Sequence, residues 1–306
     1  MIQIKNRLFN SSVARVWLGL AVILMTVSVG SVDARDLPEI QDAGVLRHLG
    51  IPYANFITGS GDGLDADMVA LFARRIGVTY EYVESSWRSV IGDLTGMTVT
   101  PRGANVEVSG SVPVRGDVIA TGFTILPWRQ KVIDYSSPLF PTQIWVIVTA
   151  DFPLKPIRPS GSMETDIAAV KPLLKGLTVL GVADTCLDPA LYGLEKAGAK
   201  TRYFKGNLNE LVPAILQGEA DATLVDVPMA LAALVRWPGK IKIIGPLSQT
   251  QEMAYAFRQS SPKLRKAFNA FLDECRRDGT YVRLVKKYYP VVFDVYPDFF
   301  KRRVRN

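Results

Sequence analysis

Two blocks of alternating strand and helix pattern, separated by a proline-rich stretch, constrain the fold more than any other feature of this chain. In the first block Gly61-Asp62-Gly63 marks a turn. Met68, Val69, Leu71, Phe72 and Ile76 then recur at helical spacing ahead of Gly77, and residues 78–83 alternate as a strand. Short apolar runs at 117–120 and 143–149 predict two more strands, and residues 151–159 (DFPLKPIRP) predict a loop. The second block predicts strands at 177–182, 201–204, 222–225 and 241–244. Helices alternate with them, starting near Asp188-Pro189 and spanning 208–217 and 228–236. An amphipathic helix over 262–277, closed by Asp278-Gly279, and a shorter one over 281–288 follow. Two α/β units joined by extended segments predict two lobes with a cleft between them, and such clefts are where ligands bind.

The first 34 residues stand apart from this pattern. Lys5, Arg7 and Arg15 flank an apolar run from 16 to 29, and Val32-Asp33-Ala34 offers small residues where cleavage would occur, which reads as a secretory signal peptide. The run falls short of the roughly 20 residues of a spanning helix, and no cysteine near residue 34 could carry a lipid. The net charge of +7 shrinks without this segment, which holds three basic residues and one acidic, to +5 over 272 residues. That surplus is too small to argue for nucleic acid or a membrane surface. Only Cys186 and Cys275 occur; an oxidising compartment would permit a bridge between them, but a separation of 89 residues carries no metal-ligand spacing, and whether they pair stays open.

Several motifs carry a resemblance. The runs Gly63-Leu-Asp-Ala-Asp-Met68, Ser86-Trp87, Asp117-Val-Ile-Ala-Thr-Gly-Phe-Thr-Ile-Leu-Pro-Trp-Arg129 and Asp134-Tyr-Ser136 resemble the first lobe of family 3 periplasmic solute-binding proteins. Lys175-Gly176 leading to Asp184-Thr185, and residues 218–228 (GEADATLVDVP), resemble the second lobe; Asp278-Gly-Thr-Tyr281 with Lys287-Tyr288-Tyr289 resembles the family's ending. The resemblance covers nearly all of the chain after residue 34, in order. It implies an α/β, two-lobed periplasmic-binding-protein-like (type II) fold with two hinge crossings. Residues 1–34 would be the signal peptide, 35–142 plus 250–306 lobe 1, and 143–249 lobe 2.

The same positions have readable chemistry. Arg129 follows a strand and turn, where a planar guanidinium can grip a carboxylate through two parallel hydrogen bonds. Thr124 would add a hydroxyl and Gly122 a close backbone N–H. Thr185 lies at a strand-to-helix junction, where free amides favour an anion. Asp226 closes the apolar run 222–230; it suits a helix N-cap ahead of Pro228, and in the family the matching residue holds a ligand amine. Tyr53 and Phe56 match aromatic positions of the cleft wall, where a ring can cover an apolar part or a cation. Trp87 and Trp128 read as packing residues. Two positions depart from the family: Asp184 stands where glycine is common and Cys186 where a second Ser or Thr is common. A carboxylate at Asp184 would repel a ligand carboxylate unless it faces solvent or a cation.

Other signals are weaker. Asp62, Asp65 and Asp67 lack the spacing and closing Glu of a calcium loop. His48, the sole histidine, has no cluster around it and reads as structural; no G-x-S-x-G occurs. Residues 301–305 (KRRVR) read as a solvated tail, and residues 95–115 as a small hairpin in which Val106 and Val108 face Val112 and Val114 across Ser109-Gly110-Ser111. The resulting expectation is a monomeric periplasmic protein, not an enzyme, with no cofactor, no metal and no nucleic-acid partner. It would capture an amino acid or related carboxylate by hinge closure, for delivery to an ABC permease. The rivals are a binding protein that signals to a membrane receptor and a cyclohexadienyl dehydratase-like enzyme. The resemblance extends to the lobe pair of membrane-bound lytic murein transglycosylases, whose lysozyme-like catalytic domain would have to follow the matched region.

Overall fold

The structure, a computed structural model, describes residues 35–304; the signal peptide expected over 1–34 lies outside them. After α1 (Leu37–Ala43) the chain lays down β1 (Val45–Gly50), α2 (Leu64–Arg75), β2 (Thr79–Glu84), α3 (Val90–Thr95), β3 (Met97–Arg102), β4 (Asn105–Ser111), β5 (Val118–Ile119) and β6 (Ile133–Tyr135). It crosses through β7 (Phe140–Thr142) into β8 (Ile144–Thr149), α4 (Met163–Leu173), β9 (Thr178–Gly181), β10 (Lys200–Tyr203), α5 (Leu211–Leu216), β11 (Ala222–Asp226), α6 (Val227–Arg236) and β12 (Ile241–Pro246). It returns through β13 (Gln251–Met253) to β14 (Ala256–Arg258) and ends in α7 (Pro262–Arg277), α8 (Thr280–Tyr288), α9 (Val292–Val295) and α10 (Pro297–Val304). Among the described residues no helix is long and apolar enough to cross a membrane.

The elements form two five-stranded sheets of matching design, ordered β2-β1-β5-β14-β6 and β10-β9-β11-β8-β12. In each, three strands run parallel and the fourth runs antiparallel to both its neighbours. That fourth strand, β14 or β8, follows directly from a crossing, and the crossings themselves pair as an antiparallel β7–β13 ribbon. The chain thus passes between the sheets twice through one hydrogen-bonded hinge.

Amphipathic helices cover the first sheet. Pro262 starts α7, which buries Leu264, Phe268, Phe271 and Leu272 along one face. Phe268 meets Phe72 of α2 edge-on, and the two rings are fully enclosed. Asp117, fully buried at the entry to β5, binds Arg35, Arg47 and Arg258 at 2.5, 2.9 and 3.3 Å and so ties the start of the chain to β1 and β14. Burial alone would raise its pKa; the Arg47 and Arg35 hydrogen bonds outweigh that and hold it below the usual carboxylate range.

Two expectations need correction, and the question of the cysteines is answered. The hairpin turns at Gly103-Ala104, not at Ser109-Gly110-Ser111: Arg102 pairs with Asn105, Gly103 takes φ +63°, and Gly110, at φ +68°, sits where the register shifts inside β4. The helix expected at Asp188-Pro189 is one 3-10 turn, Pro189–Tyr192, ended by Gly193 in the left-handed region. Cys186 and Cys275 are both free: one lies in the loop after β9, the other in α7 under the first sheet. Helix α4 was not visible in the proline-rich reading; Ser162 caps it, accepting from the Thr165 N–H.

Candidate functional site

The residues expected to bind a ligand gather at the carboxyl ends of neighbouring parallel strands, where α/β sheets present their ligands. In the first sheet Tyr53 and Phe56 follow β1, Trp87 follows β2, and residues 121–129 follow β5. In the second, Thr185 and Cys186 follow β9, and Asp226 ends β11. Tyr53, Phe56, Thr124, Arg129, Thr185 and Asp226 are all at most 3% exposed, so the two sheets' edges enclose them together.

Arg129 is held on three sides. Its Nη1 donates to the Thr124 carbonyl at 3.0 Å, its Nη2 to the Asp184 carbonyl at 3.4 Å, and its Cζ lies 4.0 Å over the Phe123 ring. Trp87 stacks with the same Phe123 ring, with ring centroids 6.3 Å apart. The guanidinium Nε has no partner within the chain, nor has the Thr124 hydroxyl. A buried cation with an unpartnered N–H has donor capacity left for an anion. The bond to Asp184 also reaches across the cleft, from the segment after β5 to the loop after β9.

The Asp184 question resolves by geometry. Its side chain is exposed and its carbonyl, not its carboxylate, meets Arg129. Its φ of +63° is a left-handed conformation that glycine adopts without strain, consistent with the residue type expected there. Thr185 directs its hydroxyl to the Val182 carbonyl at 2.8 Å and accepts from the Leu187 N–H at 3.0 Å, so it shapes this loop.

Across from Arg129, Asp226 serves as N-cap of α6, accepting from the Met229 N–H at 3.1 Å. The Tyr53 hydroxyl sits beside its carboxylate without completing a hydrogen bond and has no other partner. Burial pushes Asp226 up to about 6, against the lowering effects of the Tyr53 hydroxyl and the Met229 N–H. The capping and amine-binding readings of Asp226 are compatible, because a cap occupies one side of the carboxylate only. Cys186 is enclosed between these charges; burial, then the Asp226 charge, pushes its thiol up to about 12, which keeps it protonated.

Gly122 has a different role from the one expected. Its N–H donates to Asp65 at 2.7 Å and is therefore not offered to a ligand. Tyr255 donates to the other Asp65 oxygen, and burial pushes this carboxyl up to about 7 against both bonds. Glycine is required at 122 because φ is +60° and a Cβ would lie 2.4 Å from the Phe56 ring. Phe56 in turn packs against Phe140 and Tyr289, a core position behind the wall that Tyr53 presents. His48 is structural: buried, it donates from Nε2 to the Ala120 carbonyl at 2.6 Å and accepts from the Tyr80 hydroxyl at 2.9 Å, and burial lowers its pKa to about 4. Sequence reasoning missed Phe123, which lies in the Arg129 motif, and the Asn209 side chain, which spans the cleft to the Ala54 N–H at 2.9 Å and the Pro52 carbonyl at 3.3 Å.

Comparison with known proteins agrees with this arrangement. The profile of the bacterial extracellular solute-binding proteins, family 3, matches residues 111–291. A membrane-bound lytic murein transglycosylase F of Desulfosudis oleivorans is 26% identical over 75% of this chain and 44% of its own length. The amino-acid-binding protein AabA of Dichelobacter nodosus is 25% identical over 58% of this chain and 65% of its own length. The chain thus spans less than two thirds of either relative. The lysine/arginine/ornithine-binding periplasmic protein of Escherichia coli is 25% identical over 90% of this chain and 96% of its own length. In structure, holo ArgBP from T. maritima superposes with a TM-score of 0.61, at 24% identity over 82% of this chain and 99% of that one. An ancestral amino acid-binding protein described as a precursor of cyclohexadienyl dehydratase superposes at 0.64, with 24% identity over 83% and 98%. These solved structures establish the two-lobed type II binding-protein fold, and with the sequence match they carry the conclusion that this chain belongs to the family 3 bacterial extracellular solute-binding proteins.

Proposed function

We propose that the protein is an exported, periplasmic binding protein that captures a small amino-acid-like solute. Lobe 1 would comprise residues 35–142 and 250–306, lobe 2 residues 143–249, with the β7–β13 ribbon as hinge. The carrying observation is the opposed pair of buried charges, Arg129 on the first sheet's side and Asp226 on the second's, each with an unsatisfied neighbour: the Arg129 Nε and Thr124 hydroxyl for a carboxylate, the Tyr53 hydroxyl for an ammonium. A zwitterion neutralises both charges at once, and a ligand that holds both must bridge the two sheets, so binding would favour closure. Curated relatives named for histidine and for lysine, arginine and ornithine binding support this class.

The solute would be handed to an ABC permease by a monomeric binding protein, after removal of residues 1–34. Isothermal titration calorimetry of the protein lacking those residues, against a panel of α-amino acids, tests the reading: at least one should bind with a Kd in the micromolar range or below. Failure of the whole panel would overturn it.

A further inference from the structure

The family match ends at residue 291, yet the chain continues through α9 and α10 and folds back onto the hinge. Phe300 is buried, packs on Phe293 and Tyr281, and meets Phe140 of β7 edge-on at 6.4 Å between centroids. This anchors Tyr296, in the link between the two helices, where it lines a cavity of about 580 Å³ with Ile125, Thr250 and Gln251. Ile125 follows the candidate ligand residue Thr124, which bridges to Met253 of the hinge, and Gln251 pairs with Thr142 across the β7–β13 ribbon, so their side chains share a face.

The Tyr296 hydroxyl, Gln251 Oε1 and Thr142 hydroxyl are enclosed and have no hydrogen-bond partner within the chain. Buried polar atoms in native proteins are almost always satisfied, so several unsatisfied ones beside a binding cleft mark the place a ligand's polar group goes. All three are neutral. An anionic end buried against them would find no counter-charge; the charged side chains that line the cavity, Glu252 and Asp298, are carboxylates, and they stand partly or wholly in solvent, away from the enclosed neutral groups. Burial, and after it the Asp226 charge, raise the Tyr296 phenol.

We infer that Tyr296 and Gln251 form a subsite for the far end of the bound solute, and that this end is an uncharged hydrogen-bonding group, a carboxamide. The inference rests on reading the cleft as an amino-acid site. A carboxamide donates to Gln251 Oε1 and accepts from the Tyr296 O–H, satisfying both.

Calorimetry with L-glutamine, L-norleucine and L-arginine tests it. The wild-type protein should bind glutamine at least about 10-fold more tightly than norleucine. Tyr296→Phe, which keeps the ring, should weaken glutamine about 5- to 30-fold and leave norleucine within about twofold. Gln251→Met should act in the same direction, and Gln251→Glu should shift preference toward arginine. Equal binding of glutamine and norleucine, a wild-type preference for arginine, or a Tyr296→Phe effect that is absent or the same for both ligands would overturn the subsite while leaving the amino-acid site standing. Binding of no amino acid would remove both.

Discussion

The first sheet's wall of the cleft comes from one stretch of chain: Phe123, Thr124 and Arg129 fall within seven residues after β5, and Arg129 is held by the Thr124 carbonyl and the Phe123 ring of that same stretch. The second sheet's wall is assembled from two separate strand ends, the 184–188 loop after β9 and Asp226 after β11, joined only because those strands are neighbours. The first wall is a rigid charge held by local contacts. The second carries a charge whose ionisation is marginal, because burial raises Asp226 toward neutrality. On the proposed amino-acid reading, the arginine side would supply constant affinity and the aspartate side affinity that varies with pH.

The sharpest way to break that contrast is at Arg129. Arg129→Ala should weaken binding of any amino acid by about 30-fold or more, since truncating one partner of a buried charge pair costs roughly 2–5 kcal/mol. Calorimetry at pH 7.5, with circular dichroism to confirm folding, reads it; binding within threefold of wild type would mean the guanidinium is only a packing element.

Asp226 comes next. A bound ammonium favours the ionised carboxylate, so affinity should be constant above about pH 6 and fall about tenfold per unit below it. Asp226→Asn should weaken binding at pH 7.5 by about 10- to 50-fold and flatten that profile. A profile unchanged in the variant would assign the titration to another group.

A third, smaller effect concerns stability. Asp65 and Asp226 have folded pKa values of about 7 and about 6, above the unfolded value of about 3.9, so their protonated forms favour the folded state. Their contribution is fully present below about pH 4 and is lost as pH rises through 6 to 7. Thermal melts should show this loss between about pH 4 and 7, and Asp65→Asn should reduce it; an unaltered slope would contradict the assignment. The smallest effect is expected at Asn209, whose two bonds to residues 52 and 54 join the walls. Asn209→Ala should weaken binding about 2- to 10-fold, mostly through faster release.

The contrast between the walls also governs what the sequence made legible. The sheet-edge placement of Thr124, Arg129 and Asp226 was readable because each sits in a short motif at or after a strand end, where chemistry and local structure coincide. Gly122 was misjudged because its N–H is taken by Asp65, 57 positions earlier, a partner that no local pattern announces. The hairpin turn was displaced because Gly110 and Gly103 both offer the left-handed region, and only strand pairing decides between turn and bulge. Asn209, Gln251 and Tyr296 carried no signal at all: their roles depend on lobes, hinge ribbon and C-terminal helices meeting across distances of 100 residues or more in the chain.

The central claim is that both ends of a zwitterion are read at once, one on each wall. Titrating the protein with the amino acid it binds best, then with the same molecule lacking its α-amino group and again lacking its α-carboxylate, tests that directly. Each deletion should weaken binding by about 30-fold or more at pH 7.5, with the carboxylate deletion the more severe. Equal affinity for all three would contradict the opposed Arg129 and Asp226 as the ligand's two anchors.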